Sequence, residues 1–203
     1  MRALWSRPIR ISRAAEPAEG YAAGMHDDDP LATRGPSVTV RVLTERDQEA
    51  FLAGSIASGA LHGDWVAPPC DPAAYQAYVA RRGPSFVPLG VFRNEDFALA
   101  GAFSISQIFL GSFCSAYLGY YAFAPHHNRG YMRAGLALVL RIAFERLGLH
   151  RIEANIQPGN AGSLALARSA GFRYEGYSPA YLFVAGAWRD HERWAIRREI
   201  WQP

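Results

Sequence analysis

The sequence predicts an α/β (α+β) fold in which a mixed sheet lies between helices on both faces. The order of elements is the first ground: between residues 38 and 200, hydrophobic periodicity and turn residues read β-α-α-β-β-β-α-β-α-β-β, with no internal repeat. Size and balance are the second. The 203 residues carry 21 basic and 18 acidic side chains, a net charge of +3, and are 50% hydrophobic, which fits one soluble globular domain.

Residues 1–37 read as an extension preceding a domain over 38–203. Pro8, Pro17, Pro30 and Pro36 interrupt any periodicity. The run Asp27-Asp28-Asp29 lacks spaced partner ligands and reads as a solvated loop, while Trp5 and Tyr21 allow the extension to pack on the body. Arg7, Arg10 and Arg13 break up the segment after the basic start, so no signal peptide is visible.

In the domain, Val38, Val40 and Val42 alternate with Thr39, Arg41 and Leu43 as a strand. A helix starts near residues 44–47 and carries Phe51, Leu52 and Ile56. Asp71 and Pro72 open a second helix with Tyr75, Tyr78 and Val79, which Arg82-Gly83-Pro84 stops. Strands follow at 86–92, 97–107 and 115–123, the first two joined by a turn at Asn94-Glu95-Asp96. Residues 97–125 carry no charge and are long enough for a membrane span. Yet Ser104, Ser106 and Gln107 alternate with Phe103, Ile105 and Ile108, and Leu110-Gly111-Ser112 turns the chain, so the stretch reads as a buried hairpin. The longest helix, 131–147, aligns Met132, Leu136, Val139, Leu140, Ala143 and Leu147 on one stripe, and Gly148 ends it. A strand at 151–156, a short helix at 160–169 and strands at 172–184 and 189–200 complete the chain.

All 21 basic residues are arginine. Without lysine there is no Schiff-base nucleophile and no Walker-type phosphate loop. Cys70 and Cys114 form no C-x-x-C pair, and two free thiols fit a reducing cytoplasm. The net charge is too small to argue for nucleic acid.

The most informative junction is the aromatic strand ending at Phe123, the loop to Gly130, and the long helix. A strand that turns through a glycine into a helix N-terminus presents open backbone N–H groups at the positive end of the helix dipole, a cradle for an anion. Between residues 129 and 151, Arg129, Arg133, Arg141, Arg146 and Arg151 face a single acid, Glu145, where phosphates are expected. The loop is neither G-x-G-x-x-G nor G-K-[ST], which disfavours dinucleotides and nucleoside triphosphates. His126 and His127 stand adjacent without a third ligand, so no metal is expected.

Asn128-Arg129-Gly130-Tyr131-Met132, His150-Arg151-Ile152, Asn160-Ala161-Gly162-Ser163, Gly171-Phe172, Glu175-Gly176-Tyr177, Tyr181-Leu182 and the segment from Gly186 to His191 follow one another in an order that resembles the GNAT N-acetyltransferases. More narrowly, they resemble ribosomal-protein alanine N-acetyltransferases of RimJ type, over residues 38–199. The resemblance implies a mostly antiparallel mixed sheet and acetyl transfer from acetyl-CoA to an amine, without a metal. It implies that the strand holding Tyr121 and Phe123 pairs with the pantetheine arm and that His127, Asn128, Arg129, Gly130, Tyr131, Met132 and Arg133 hold the pyrophosphate. The strand at 151–156 would splay away to admit the thioester. Asn160 would bond the CoA arm, and Ser163 would protonate the leaving thiolate. Asn160 also suits an N-cap and Ser163 the same turn, so both readings stand.

Five departures from the family pattern bear on the chemistry, one of them Asn128 in place of a Gly before Arg129. The loop has His127 for the usual Gln or Arg, and Met132 for a small residue. The position of the family's tyrosine acid is Ala167, and that of a carboxylate base is Leu182. Glu153, sharing a strand face with Arg151 and Asn155, either reaches the site through water or is ion-paired at the surface. Asp190 and His191 lie where acceptors approach and also suit a structural turn.

The expected acceptor is the α-amine of a ribosomal or other cytosolic protein. With a pKa of about 7.7–8.0 against about 10.4 for lysine, roughly one α-amine in ten is already the free base at neutral pH, which suits a weak base. Two alternatives stand: acetylation of a small amine such as a polyamine or antibiotic, and a non-catalytic acyl-CoA-binding or ribosome-interacting protein. No nucleic acid or membrane is expected as a direct partner, and the protein is expected to act as a monomer or homodimer.

Overall fold

Valine-rich and aromatic runs with period-two alternation form the strands, and the two sides of that alternation bury two different cores. In the computed structural model, which describes residues 29–124 and 126–202, they build one eight-stranded sheet. Trp5, Tyr21, Asp27 and Asp28 lie outside the described residues. The strands are β1 (Thr33–Arg34), β2 (Val38–Val42), β3 (Phe86–Arg93), β4 (Leu99–Phe109), β5 (Ser115–Ala122), β6 (Arg151–Ile156), β7 (Arg173–Val184) and β8 (Ala187–Arg197). Their spatial order is β1-β2-β3-β4-β5-β6-β8-β7, and every pair is antiparallel except β5 with β6. The mixed, mostly antiparallel sheet is the architecture expected.

Helices α1 (Gln48–Ala57), α2 (Gly59–His62) and α3 (Pro72–Ala80) precede β3; α4 (Tyr131–Arg141) follows β5, and α5 (Ala161–Ser169) follows β6. The larger core joins α4 and α5 to one face through Leu136, Val139, Leu140, Leu164 and Ala167 against Val91, Phe103, Ile105 and Leu118. The second core joins α1 and α3 to the other face through Phe51, Tyr75, Tyr78 and Val79 against Phe86, Phe92, Ala102 and Phe123. On β5, Tyr120 therefore packs with the first core and Tyr121 with the second, as successive strand residues must.

The structure differs from the expected elements in four places. The pair Thr33↔Val40 carries the sheet to the N-terminal side of Val38. The single-turn helix α2 was not foreseen, because four residues carry no periodic signal. The long helix changes to a π turn over Ile142–Arg146, where Leu147 N–H reaches Ile142 O at 2.9 Å. The final hairpin closes through Ala185 and Gly186, both at positive φ (49° and 78°), so β8 begins at Ala187 and not at Arg189. The uncharged stretch is the β4–β5 hairpin, and no described helix is long and apolar enough to cross a membrane.

Asp47 fixes the entry to α1. Its carboxylate accepts from Arg41 at 2.6 and 2.9 Å and from Thr44 N–H at 2.8 Å, and Arg41 also lies over the Phe92 ring at 3.9 Å. Burial pushes the Asp47 pKa up, but the Arg41 and Thr44 bonds more than offset this and leave it below the ordinary value. We expect Asp47→Asn to lower stability by about 2–3 kcal/mol. A folded-state pKa below the unfolded one makes this contribution full at pH above about 4 and loses it as pH falls through the lowered value. Urea titrations of both proteins should show a gap that is constant at neutral pH and closes in acid; a gap that widens in acid refutes the assignment.

Candidate active site

The two parallel strands do not stay together. β5 and β6 pair at Ser115↔Arg151, Ala116↔Ile152 and Tyr117↔Glu153, and no further. Beyond that point β5 remains laddered to β4 as far as Gly101↔Ala122, and β6 to β8 as far as Ile156↔Glu192. The sheet opens as a V between them. Gln157, just past β6, is buried and donates to the carbonyls of Asp64 and Trp65 at 3.1 and 3.2 Å, so this end of β6 is tied to the loop after α2. The Trp65 ring lies so close to Gly159 that a Cβ there would stand 2.9 Å from it.

A cavity of about 250 Å³ occupies the V. Tyr120 and Tyr121 both line it although they face opposite sides of the sheet, so the cavity passes through the plane of the sheet. On the α4/α5 side it is bounded by Met132, Arg133, Asn160, Gly162, Ser163 and Leu166, and on the other by Leu61, His62, Trp65 and Val66.

The loop from β5 to α4 closes one mouth. Asn128 and Gly130 take positive φ (58° and 83°). The first intrahelical bond runs from Ala134 N–H to Gly130 O at 3.0 Å, and Gly130 offers no side-chain cap, so the N–H groups of Tyr131, Met132 and Arg133 are open at the positive end of α4. His126 is neutral here: its Nδ1 accepts from Arg93 at 2.9 Å, and burial first, then the Arg93 charge, hold its pKa below the ordinary value.

Of the residues singled out in the sequence, Tyr121, His127, Asn128, Gly130, Tyr131, Met132, Arg133, Asn160 and Ser163 line the cavity. Phe123 does not: it is fully buried in the second core, and its N–H is bonded to Ala100 O at 2.9 Å. Arg129 is exposed in the loop and is not in the lining. Glu153 is likewise outside it, bound at 3.0 Å to Arg151, whose guanidinium also holds Glu175. The expected arginine cluster is dispersed, because Arg141 and Arg146 ride further along the helix and Arg151 is engaged at the closed end of the V. Only Arg133 of the five reaches the cavity.

Asn160 caps α5: its Oδ1 accepts from Ser163 N–H at 3.1 Å, which leaves the side-chain amide N–H groups for a ligand. Asp190 accepts from Ala180 N–H at 2.8 Å and from the Tyr177 hydroxyl, while His191 is buried with Nδ1 2.9 Å from Arg189 O; both brace the β7–β8 hairpin.

Sequence reasoning missed two groups. Tyr120 donates to Ser163 O at 3.3 Å, and burial pushes its pKa up to about 12, opposed by the Ser163 side-chain hydroxyl. It stands next to a residue that was named, and only the splay shows that both neighbours matter. His62 lies in the unforeseen helix α2, where nothing in the sequence marks it.

The chain matches the acetyltransferase (GNAT) domain family over residues 37–173. It is 32% identical over 140 residues to the ribosomal protein uS5-alanine N-acetyltransferase of Escherichia coli (strain K12), covering 66% of this chain and 72% of that protein. Over 107 residues it is 38% identical to the probable N-acetyltransferase YjcK of Bacillus subtilis, which covers 53% of this chain and 59% of that protein's length. A solved structure of Mycobacterium smegmatis RimJ in complex with CoA-disulfide is similar with a TM-score of 0.74 and 29% identity, over 81% of this chain and 87% of that one.

Proposed function

This chain belongs to the GNAT acetyltransferase family, and from that premise we propose that it transfers the acetyl group of acetyl-CoA to the α-amine of a protein N-terminus, with a ribosomal protein as the acceptor class. The observation that carries the reading is the cavity crossing the sheet in the V between β5 and β6, with the anion cradle of residues 128–133 at one mouth. The CoA pyrophosphate would rest on the open amides at the start of α4, and the pantetheine arm would run along the unpaired edge of β5 towards Ser163. The amine approaches from the Trp65 side, attacks the thioester carbonyl carbon and loses a proton. The C–S bond breaks, and the thiolate takes a proton from Tyr120 or Ser163. A buried tyrosine whose pKa is raised to about 12 stays protonated at neutral pH and is available as the donor.

A peptide N-terminus fits better than a polyamine or an aminoglycoside. Among the described lining residues there is no Asp or Glu, and a polycation would meet Arg133 with no carboxylate to hold its remaining charges. The test is CoA thiol release by purified protein with peptides beginning in Ala or Ser, spermidine and an aminoglycoside. Turnover of the peptides alone is expected; turnover of the small amines alone would replace the reading.

A further inference from the structure

Among the described lining residues there is no carboxylate to take the proton that the amine gives up: Leu182 is exposed on β7, and Glu153 is committed to Arg151. Three histidines line the cavity instead. His127 is exposed in the anion loop, and His126 has its Nδ1 occupied by Arg93. The third, His62, is only 6% exposed.

His62 Nε2 lies 2.8 Å from the carbonyl oxygen of Ala122, at the end of β5. A carbonyl only accepts, so Nε2 carries the proton and the neutral ring keeps its lone pair on Nδ1. Among the described residues Nδ1 has no hydrogen-bond partner. The ring is held by Tyr121 and Phe123, with centroids 6.3 and 6.2 Å away. The backbone on either side of it is fastened as well. Ser58, just before α2, accepts from Ala124 N–H at 2.8 Å, and Gln157 clamps Asp64 and Trp65 just after it. The His62 side chain, its neutral tautomer fixed by Ala122 O, thus lines the cavity on the side opposite Ser163 and Tyr120.

Resting on the acetyl-transfer reading above, we infer that His62 is the general base, its Nδ1 taking the proton from the attacking amine while Ala122 O holds Nε2–H in place. The acid and the base then stand on opposite faces of the sheet, and the thioester lies between them. The titratable or charged groups sharing the cavity with His62 are Tyr120, Tyr121, His126, His127, Tyr131 and Arg133.

Two measurements decide this. In nitrogen-15-labelled wild-type protein, histidine spectra of the neutral ring should show His62 with Nε2 protonated and Nδ1 bare; a protonated Nδ1 in the neutral ring overturns the assignment, whether or not any acceptor has been found. His62→Gln keeps a donor at the Nε2 position and removes the base. With an N-terminal Ala peptide it should bind acetyl-CoA within about twofold of wild type but lose about 100-fold in kcat near neutral pH. That loss should shrink about tenfold by pH of about 9.5, where the α-amine is already the free base. Added imidazole should restore about tenfold of the rate to His62→Ala. A His62→Gln protein that keeps kcat within threefold, or loses it equally at every pH, makes His62 a structural tie and refutes the inference. Failure of wild type on every peptide would instead refute the acceptor reading.

Discussion

Gly101→Ala is expected to destabilise the protein by about 3 kcal/mol, a fall in melting temperature of roughly 6–12 °C for a chain of this size. Gly101 sits on β4 opposite Ala122, and a Cβ there would stand 2.5 Å from the carbonyl oxygen of Tyr121 and 2.3 Å from Met132 Sδ. The methionine can swing aside, but the carbonyl belongs to the β5 backbone and moves only if the strand moves. Because that end of β5 is the wall of the cavity, the same substitution should also weaken acetyl-CoA binding by calorimetry. Gly59→Ala is the control, since nothing lies within 4 Å of its Cβ and it is in a helix; it should melt at or slightly above wild type. A Gly101→Ala protein that melts within about 2 °C of wild type would show that the strand yields freely.

Tyr120→Phe is expected to lower kcat by about 100-fold while leaving the KM for acetyl-CoA within a few-fold, because it deletes one hydroxyl and keeps the ring in the core. The hydroxyl is 3.3 Å from Ser163 O, so stability should fall by only about 1 kcal/mol. If Tyr120 and Ser163 serve one proton path to the thiolate, the double variant with Ser163→Ala should be no slower than the worse single variant, as expected for residues acting as a unit. Additive losses would assign them separate tasks, and a Tyr120→Phe enzyme within threefold of wild type would remove the tyrosine from the chemistry. The raised pKa adds a check of sign. A donor that titrates near 12 produces no basic limb in kcat at pH about 10, where an ordinary tyrosine would already be half ionised.

Much of this site was legible because it is local. A glycine between an aromatic strand and an amphipathic helix specifies the turn that opens the amides of α4, and Asn160 three residues before Ser163 specifies the cap of α5. Both features are written in adjacent residues, and both stand where they were expected. Glu153 and Arg151 share one strand face, and that spacing was compatible with a reach to the site; the cross-strand neighbour Glu175, which helps hold Arg151 away, is set by the β6–β8–β7 pairing. The arginine run from 129 to 151 looked like one positive patch because sequence distance was short. A helix rising about 1.5 Å per residue carries its later arginines well away from the loop.

The sequence by itself determined the element order and the strand–loop–helix junction and, in having neither a lysine nor a Walker or dinucleotide loop, which phosphate ligands it disfavours. These depend on periodicity, turn residues and side-chain chemistry, which act within a few residues of one another. Only the tertiary structure decided where the sheet opens, that Tyr120 and Tyr121 flank the same cavity from opposite faces, and that His62 meets Ala122 across 60 residues of chain. Those facts depend on which strand pairings end and which continue, on long-range hydrogen bonds such as that of Gln157 to Asp64 and Trp65, and on packing of two separate cores, none of which leaves a periodic trace in the chain.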